Sequence, residues 1–148
     1  MLLLFAGPSG SGKSSAAALL KDKLKAEVYS GKGYYRMAKS PAEAWRKFQA
    51  VLQEGVDGKR NVILILVGTD NLEKFKAMGK FCLVRFTAPR AVLESRFAGR
   101  TTVVTPQISK MIADQEAMWQ DVPCDLVIDT SAKTVEEVVR EIERVTSP

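Results

Sequence analysis

The segment that most constrains this chain is Gly7-Pro8-Ser9-Gly10-Ser11-Gly12-Lys13-Ser14, which fits the pattern G-x-x-x-x-G-K-S. A short apolar run, Met1–Ala6, precedes the segment, and a run of helix-forming residues follows it. The glycines allow backbone N–H groups to turn inward around phosphate oxygens, and the start of the next helix adds its positive dipole end. The pattern therefore predicts a strand, a phosphate-binding loop (P-loop, or Walker A motif) and a helix.

This motif assigns a role to each polar position. The Lys13 ammonium is expected to reach the β- and γ-phosphates of ATP, and the Ser14 hydroxyl is expected to be a ligand of Mg²⁺. ATP and Mg²⁺ are therefore the predicted cofactors. The residues of this segment that we predict to bind the nucleotide are Gly7, Ser9, Gly10, Ser11, Gly12, Lys13, Ser14 and Ser15.

Composition narrows the class of protein. The 148 residues suit a single domain over 1–148, and the net charge is +5. No basic block with interleaved aromatics marks a nucleic-acid surface, so nucleic acid is an unfavoured partner. The absence of histidine excludes His-ligated zinc and Ser-His-Asp or Cys-His catalysis. The apolar runs are short, so no membrane span is predicted. Cys82 and Cys124 are expected to be buried thiols. We expect a cytoplasmic protein that is a monomer or a homodimer.

Strand and helix patterns alternate along the whole chain. This alternation predicts an α/β fold, a three-layer P-loop NTPase sandwich with a mainly parallel five-stranded sheet flanked by helices. Loops at the carboxyl ends of the strands should then line one edge, where ligands bind. The predicted strands are 1–6, 27–30, 61–67 (a central strand buried on both faces), 81–86 and 125–128; the predicted helices are 13–25, 41–55, a short one ending near 78, 89–97, 106–120 and 135–145.

The amino-acid sequence of the P-loop resembles that of guanylate kinases and related small nucleoside-monophosphate kinases. The later half is similar as well: the run Val84–Pro89 leads into a helix carrying Glu94, Arg96 and Arg100, and Asp125–Ser131 is followed by a Val/Glu-rich helix. The resemblance implies that Arg96 and Arg100 belong to a lid, at about 96–105, over the ATP phosphates. It also implies that the loop with Thr130 and Ser131 lies against the adenine.

The segment 29–60, where the acceptor of the phosphoryl group should bind, departs from this pattern. Guanylate kinases carry an inserted lobe there with a Thr-Arg-x-Pro-Arg motif, and this chain has none. Shikimate- and gluconate-type kinases place an acidic residue after the second strand, where this chain reads Tyr29-Ser30-Gly31-Lys32. We interpret this segment as the acceptor pocket, with an ordinary polar loop as the alternative; its candidate residues are Lys32, Tyr34, Tyr35, Arg36 and Lys39.

Asp70 is the one carboxylate that closely follows an interior strand. It could bind Mg²⁺, act as a general base, or cap the next helix, since Asp70 and Glu73 form a D-x-x-E start. A phosphate acceptor needs no base, whereas an alcohol acceptor does.

The sequence hypothesis is an ATP- and Mg²⁺-dependent phosphotransferase acting on a small, phosphorylated acceptor. The catalytic candidates are Lys13, Arg96, Arg100 and Asp70, and the metal candidates are Ser14 and Asp70. The alternatives are a kinase of an alcohol, of the shikimate, gluconate or antibiotic type, and a regulatory switch that hydrolyses NTP slowly. Against the switch, the chain has no guanine-reading N-K-x-D motif.

Overall fold

The computed structural model describes residues 1–99 and 103–147. Strands and helices alternate in these ranges, which confirms the predicted α/β class. The strands are β1 (Leu2–Ala6), β2 (Glu27–Ser30), β3 (Val62–Leu66), β4 (Cys82–Thr87) and β5 (Leu126–Asp129), and the helices are α1 (Lys13–Leu24), α2 (Pro41–Val56), α3 (Leu72–Met78), α4 (Arg90–Ala98), α5 (Pro106–Trp119) and α6 (Val135–Thr146).

The five strands form one parallel sheet in the order β2-β3-β1-β4-β5. Leu4 on β1 pairs with Leu64 on one side and Leu83 on the other, so β1 is the central strand. β3 lies between β2 and β1 in the interior of the sheet, as its apolar sequence predicted. An apolar run indicates that a strand is covered on both faces, but it does not say which of the covered strands is in the middle.

Helices cover both faces of the sheet. Leu2 and Leu4 of β1 face a core completed by Phe48, Phe75 and Trp119 of α2, α3 and α5. Leu3 and Phe5 face the opposite core, which α1 and α6 complete with residues such as Leu20 and Ile142. Alternate residues of one strand thus enter different cores, as the pleat of a strand requires. The predicted three-layer sandwich is confirmed.

Side chains cap the starts of α2 and α6, the helices predicted to begin at residues 41 and 135. The Ser40 hydroxyl accepts a hydrogen bond from the Glu43 N–H at 3.2 Å. Thr134 and Glu137 form the complete reciprocal capping box at the start of α6. The segment 31–39, expected as a loop, contains a 3₁₀ helix over Gly33–Met37.

The start of α3 differs from the cap that the D-x-x-E pattern predicted. Asn71 occupies the cap position with a left-handed backbone (φ 66°), and no side chain makes a capping hydrogen bond there. The helix therefore begins one residue later than that pattern requires, and Asp70 does not cap it. Asp70 lies on the surface, so its carboxylate is available for another role.

Three further features of the described residues bear on the expectations. None of the described helices is long and apolar enough to cross a membrane. Cys82 and Cys124, expected to be buried, are free thiols that are partly exposed. Arg85 on β4 forms an ion pair with Glu116 of α5 at 3.2 Å, so a strand arginine serves packing between sheet and helix.

Candidate active site

The P-loop follows β1 and wraps around the start of α1. Gly7 has φ 138°, and a side chain there would approach the carbonyl oxygen of Phe86 to 2.2 Å, so only glycine fits. Gly12, with φ 97°, is the residue directly before α1, and a β-carbon is disfavoured there as well. The two glycines thus allow the close loop that the motif predicted.

Lys13 is buried within this loop, with 6% of its surface exposed. Its ammonium donates hydrogen bonds to the carbonyl oxygens of Gly7 and, at 2.9 Å, Pro8. The Lys13 ammonium is therefore held inside the P-loop, the segment predicted to bind the phosphates of a nucleotide. Ser14 and Ser15 follow it in the first turn of α1, and both are exposed.

Arg96 connects three parts of the site. Its guanidinium donates to the Gly10 carbonyl at 3.1 Å, to the Thr130 hydroxyl at 2.8 Å and to the Thr130 carbonyl at 2.9 Å. The buried Thr130 hydroxyl in turn donates to the Ser11 carbonyl at 2.8 Å. These bonds fix the P-loop to the loop after β5 and to the end of α4.

A cavity of about 280 Å³ lies along this junction. Ser131 is not among the residues that line it: its N–H and hydroxyl donate to the Asp129 carboxylate at 2.8 and 2.6 Å. These hydrogen bonds lower the pKa of Asp129, because they stabilise its charged form. The cavity is lined by Gly10, Gly12, Ser15, Ala16, Arg96, Thr130, Lys133, Val135 and Val138.

A larger cavity, of about 500 Å³, lies on the other side of the P-loop. Lys32, Tyr34 and Tyr35, the candidate acceptor residues, and Asp70, the candidate metal residue, line it. Arg36 and Lys39 are exposed and do not line it. Its lining consists of residues 9–14, Ser30, Gly31, Lys32, Tyr34, Tyr35, Trp45, Phe48, residues 65–68, Asp70, Asn71 and Phe75. Arg100 lies outside the described residues.

Two contacts from α5 were missed by the sequence analysis. Gln115 accepts a hydrogen bond from the Ser9 N–H at 2.9 Å, and the Trp119 indole N–H donates to the Val67 carbonyl at 2.7 Å. Gln115 and Trp119 are one helical turn apart, so a single face of α5 holds both the P-loop and the loop after β3. No motif indicates a contact between residues 106 positions apart in the chain.

Comparison with known proteins gives a result at the level of the fold. No family model and no curated protein matches the chain. Among solved structures, a sugar kinase from a Janibacter species is 17% identical with a TM-score of 0.68, over 97% of this chain and 92% of that one. The YorR protein of Bacillus subtilis, in complex with phosphorylated GDP, is 18% identical (TM-score 0.72; 98% and 95% covered). A shikimate kinase from Acinetobacter baumannii is 13% identical (TM-score 0.64; 97% and 91% covered).

The chain has the same fold as these structures. This confirms the fold that the resemblance to small P-loop kinases implied, over nearly the full length of the chain and of these structures. Within this fold, the two cavities lie at the carboxyl ends of parallel strands, where α/β proteins bind ligands.

Proposed function

We propose that the protein transfers the γ-phosphoryl group of ATP to a small-molecule acceptor. The observation that carries the proposal is the position of the P-loop between two cavities: Gly10 and Gly12 line both of them. A nucleotide bound in the smaller cavity would have its phosphates at the loop, where they meet an acceptor in the larger one. Such a two-substrate arrangement supports a transferase over a regulatory switch, which needs a nucleotide site alone.

The smaller cavity suits the nucleoside part of ATP. Arg96 offers a planar cation, Val135 and Val138 offer apolar surface, and Thr130 fixes the loop against which a base would pack. The N–H groups at the start of α1 and the Lys13 ammonium supply positive charge for the phosphates. In this proposal Thr130, rather than Ser131, is the residue of the loop after β5 that contacts the nucleotide.

The described residues also fit Mg²⁺ that is bound mainly through substrate phosphates. Ser14 and Asp70 line the same cavity and supply a hydroxyl and one carboxylate, and Mg²⁺ in such sites takes only one or two protein ligands. When bound, Mg²⁺ would neutralise charge on the β- and γ-phosphates. Lys13 contributes to the same neutralisation and orients the phosphates.

The charges of the larger cavity bear on the choice between a phosphorylated acceptor and an alcohol. Beside the P-loop Lys13, only Lys32 among the described residues brings a cation to the lining, while Arg36 and Lys39 lie outside it. This lining favours an alcohol over the phosphorylated acceptor of the sequence hypothesis. Asp70 would then be the base that accepts the proton of the alcohol instead of a ligand of Mg²⁺, which Ser14 and the substrate phosphates would hold. The proposal includes a cytoplasmic location, where free thiols persist, and a site complete in one chain.

The test compares Lys13→Ala with Lys21→Ala, an exposed lysine on the same helix. With labelled ATP and a panel of acceptors, we expect Lys13→Ala to lose transfer by roughly 10²–10³-fold, since it removes a preorganised charge contact. Lys21→Ala should retain transfer, and circular dichroism should report both variants folded. Near-normal transfer in folded Lys13→Ala contradicts the proposal. ATP hydrolysis with no labelled acceptor supports the switch.

A further inference from the structure

Five aromatic side chains form one continuous wall of the larger cavity. The Tyr34 ring stacks on Phe48 with centroids 5.0 Å apart and planes 8° apart, and its edge meets Trp45 at 5.3 Å. Trp45 in turn contacts Phe75, with centroids 6.4 Å apart. Tyr35 packs against Tyr34 at 4.6 Å and completes the wall, and all five residues line the cavity. We call these five residues, Tyr34, Tyr35, Trp45, Phe48 and Phe75, the aromatic wall.

Three members of the aromatic wall, Tyr34, Phe48 and Phe75, are buried in the core, so its open ring surface belongs to Tyr35 and Trp45. Tyr35 is 47% exposed, and among the described residues it is the one aromatic with a large exposed surface. Trp45 is partly exposed, with the Lys74 ammonium 4.9 Å from its ring centroid. Exposed aromatic surface that rims a cavity marks a binding site, because rings offer both apolar area and a face for stacking.

Charge in this cavity is sparse and mixed. The ionic side chains that line it are Lys13, Lys32 and Asp70, and no described arginine does so. A carboxylate or phosphate is usually held by the bidentate fork of an arginine or by several cations. Asp70 would repel an acidic acceptor, while the aromatic wall would attract an uncharged one.

We propose that the acceptor is an uncharged alcohol carried on a planar aromatic ring, which packs on the aromatic wall. The reaction step rests on the phosphotransfer proposed above; the binding of the ring does not. In that step the bond between the γ-phosphorus and the oxygen bridging to ADP breaks, and a new bond forms from that phosphorus to the acceptor oxygen. The hydroxyl proton passes to the Asp70 carboxylate and then to water. ADP and the phosphate ester of the alcohol are the products.

The experiment measures binding, so it needs no turnover. The protein is saturated with Mg²⁺ and a non-hydrolysable ATP analogue, which occupies the nucleotide and phosphate positions. Four probes are then titrated by saturation-transfer NMR: benzyl alcohol, cyclohexylmethanol, benzyl phosphate and gluconate. Cyclohexylmethanol replaces the planar ring with a saturated one, benzyl phosphate replaces the hydroxyl with a charged phosphate group, and gluconate is an acid without a ring.

We expect benzyl alcohol to bind about two- to tenfold more tightly than cyclohexylmethanol, because stacking adds to the burial of apolar area. Benzyl phosphate should bind no more tightly than benzyl alcohol, and gluconate should bind more weakly than benzyl alcohol.

Tyr35→Ala should weaken the binding of benzyl alcohol at least fivefold and leave the affinity for the ATP analogue unchanged. Tyr35 is half exposed, so Tyr35→Ala should fold. A second variant, Trp45→Leu, alters the more buried part of the aromatic wall and is less certain to fold. Arg46→Ala, an exposed neighbour on α2, is the matched control and should change nothing.

Each other result overturns the inference. Tighter binding of benzyl phosphate would identify an anion site and restore the phosphorylated acceptor, and tighter binding of gluconate would identify a sugar-acid site. Equal affinity for the two alcohols, no binding of any probe, or binding that Tyr35→Ala leaves unchanged would show that the aromatic wall is only core. The Lys13 comparison decides separately whether the chain transfers phosphate at all.

Discussion

Arg96 illustrates how far a single residue can be predicted. The resemblance to small kinases placed it in a lid over the ATP phosphates. In the structure its guanidinium makes three hydrogen bonds, to Gly10 and to both oxygens of Thr130. Each hydrogen bond from a charged group contributes on the order of 1.5–3 kcal/mol when partly buried. Arg96 therefore holds the smaller cavity in shape before any ligand arrives.

We expect Arg96→Ala and Arg96→Lys to weaken nucleotide binding by about tenfold, because a single ammonium cannot reproduce the three bonds of the fork. Isothermal titration with Mg²⁺ and an ATP analogue measures this affinity. Arg90→Ala, an exposed arginine on the same helix, is the control. An unchanged Kd with a lower kcat would instead return Arg96 to the purely transition-state role that the lid interpretation implies.

The sequence predicted features that depend on the local backbone conformation. It did not predict the directions in which side chains point from a segment. The P-loop glycines and the caps of α2 and α6 depend on neighbours within a few positions. The segment 31–39 turned out to contain a 3₁₀ helix, in which successive side chains point in different directions. This explains why Tyr34 and Tyr35 line the cavity whereas Arg36 does not.

At the scale of elements, α5 determines the shape of the cleft. Gln115 and Trp119 hold the P-loop and the loop after β3 from one face of this helix. The sequence predicted this helix over 106–120, and in the structure Trp119 is buried in the core. Which loops its side chains contact depends on how the helix packs on the sheet, and no local pattern records that packing.

We expect Gln115→Met to raise the Kd of an ATP analogue several-fold, because the partly buried Ser9 N–H loses its acceptor, which costs about 1–3 kcal/mol. Gln120→Met, an exposed glutamine just after the helix, is the control. Hydrogen exchange should also speed up at the P-loop in the Gln115 variant alone. Equal exchange and equal affinity in both variants would mean that the loop does not depend on α5.

At the scale of the molecule, alternation of strands and helices was sufficient to predict the parallel sheet and the edge at which the two cavities lie. The order of strands was not predictable in the same way, because β1 and β3 are equally apolar and either could have been central. Pairing between strands depends on long-range crossovers rather than on composition. The site followed from the topology: once the strands are parallel, the loops after β1, β2 and β3 meet around one cavity.

The whole fold should lose stability in alkali through the thiol of Cys82 on β4. Burial raises its pKa from 9.0 to about 11, and the nearby Asp125 carboxylate adds to the shift. The folded state therefore keeps the thiol proton between these values while the unfolded state loses it. The Cys82 contribution is complete below about pH 9 and falls as the pH rises towards 11.

Urea unfolding at a series of pH values, for the native chain and for Cys82→Ala, measures this effect. The free energy of unfolding should fall more steeply above pH 9 in the native chain than in the variant. One proton sets an upper limit of about 1.4 kcal/mol per pH unit, and the partial exposure of Cys82 makes the difference smaller. Burial also raises the pKa of Tyr29, but this residue is present in both proteins and cancels in the comparison. Parallel curves would contradict the prediction and would mean that the thiol ionises equally in the folded and unfolded chains.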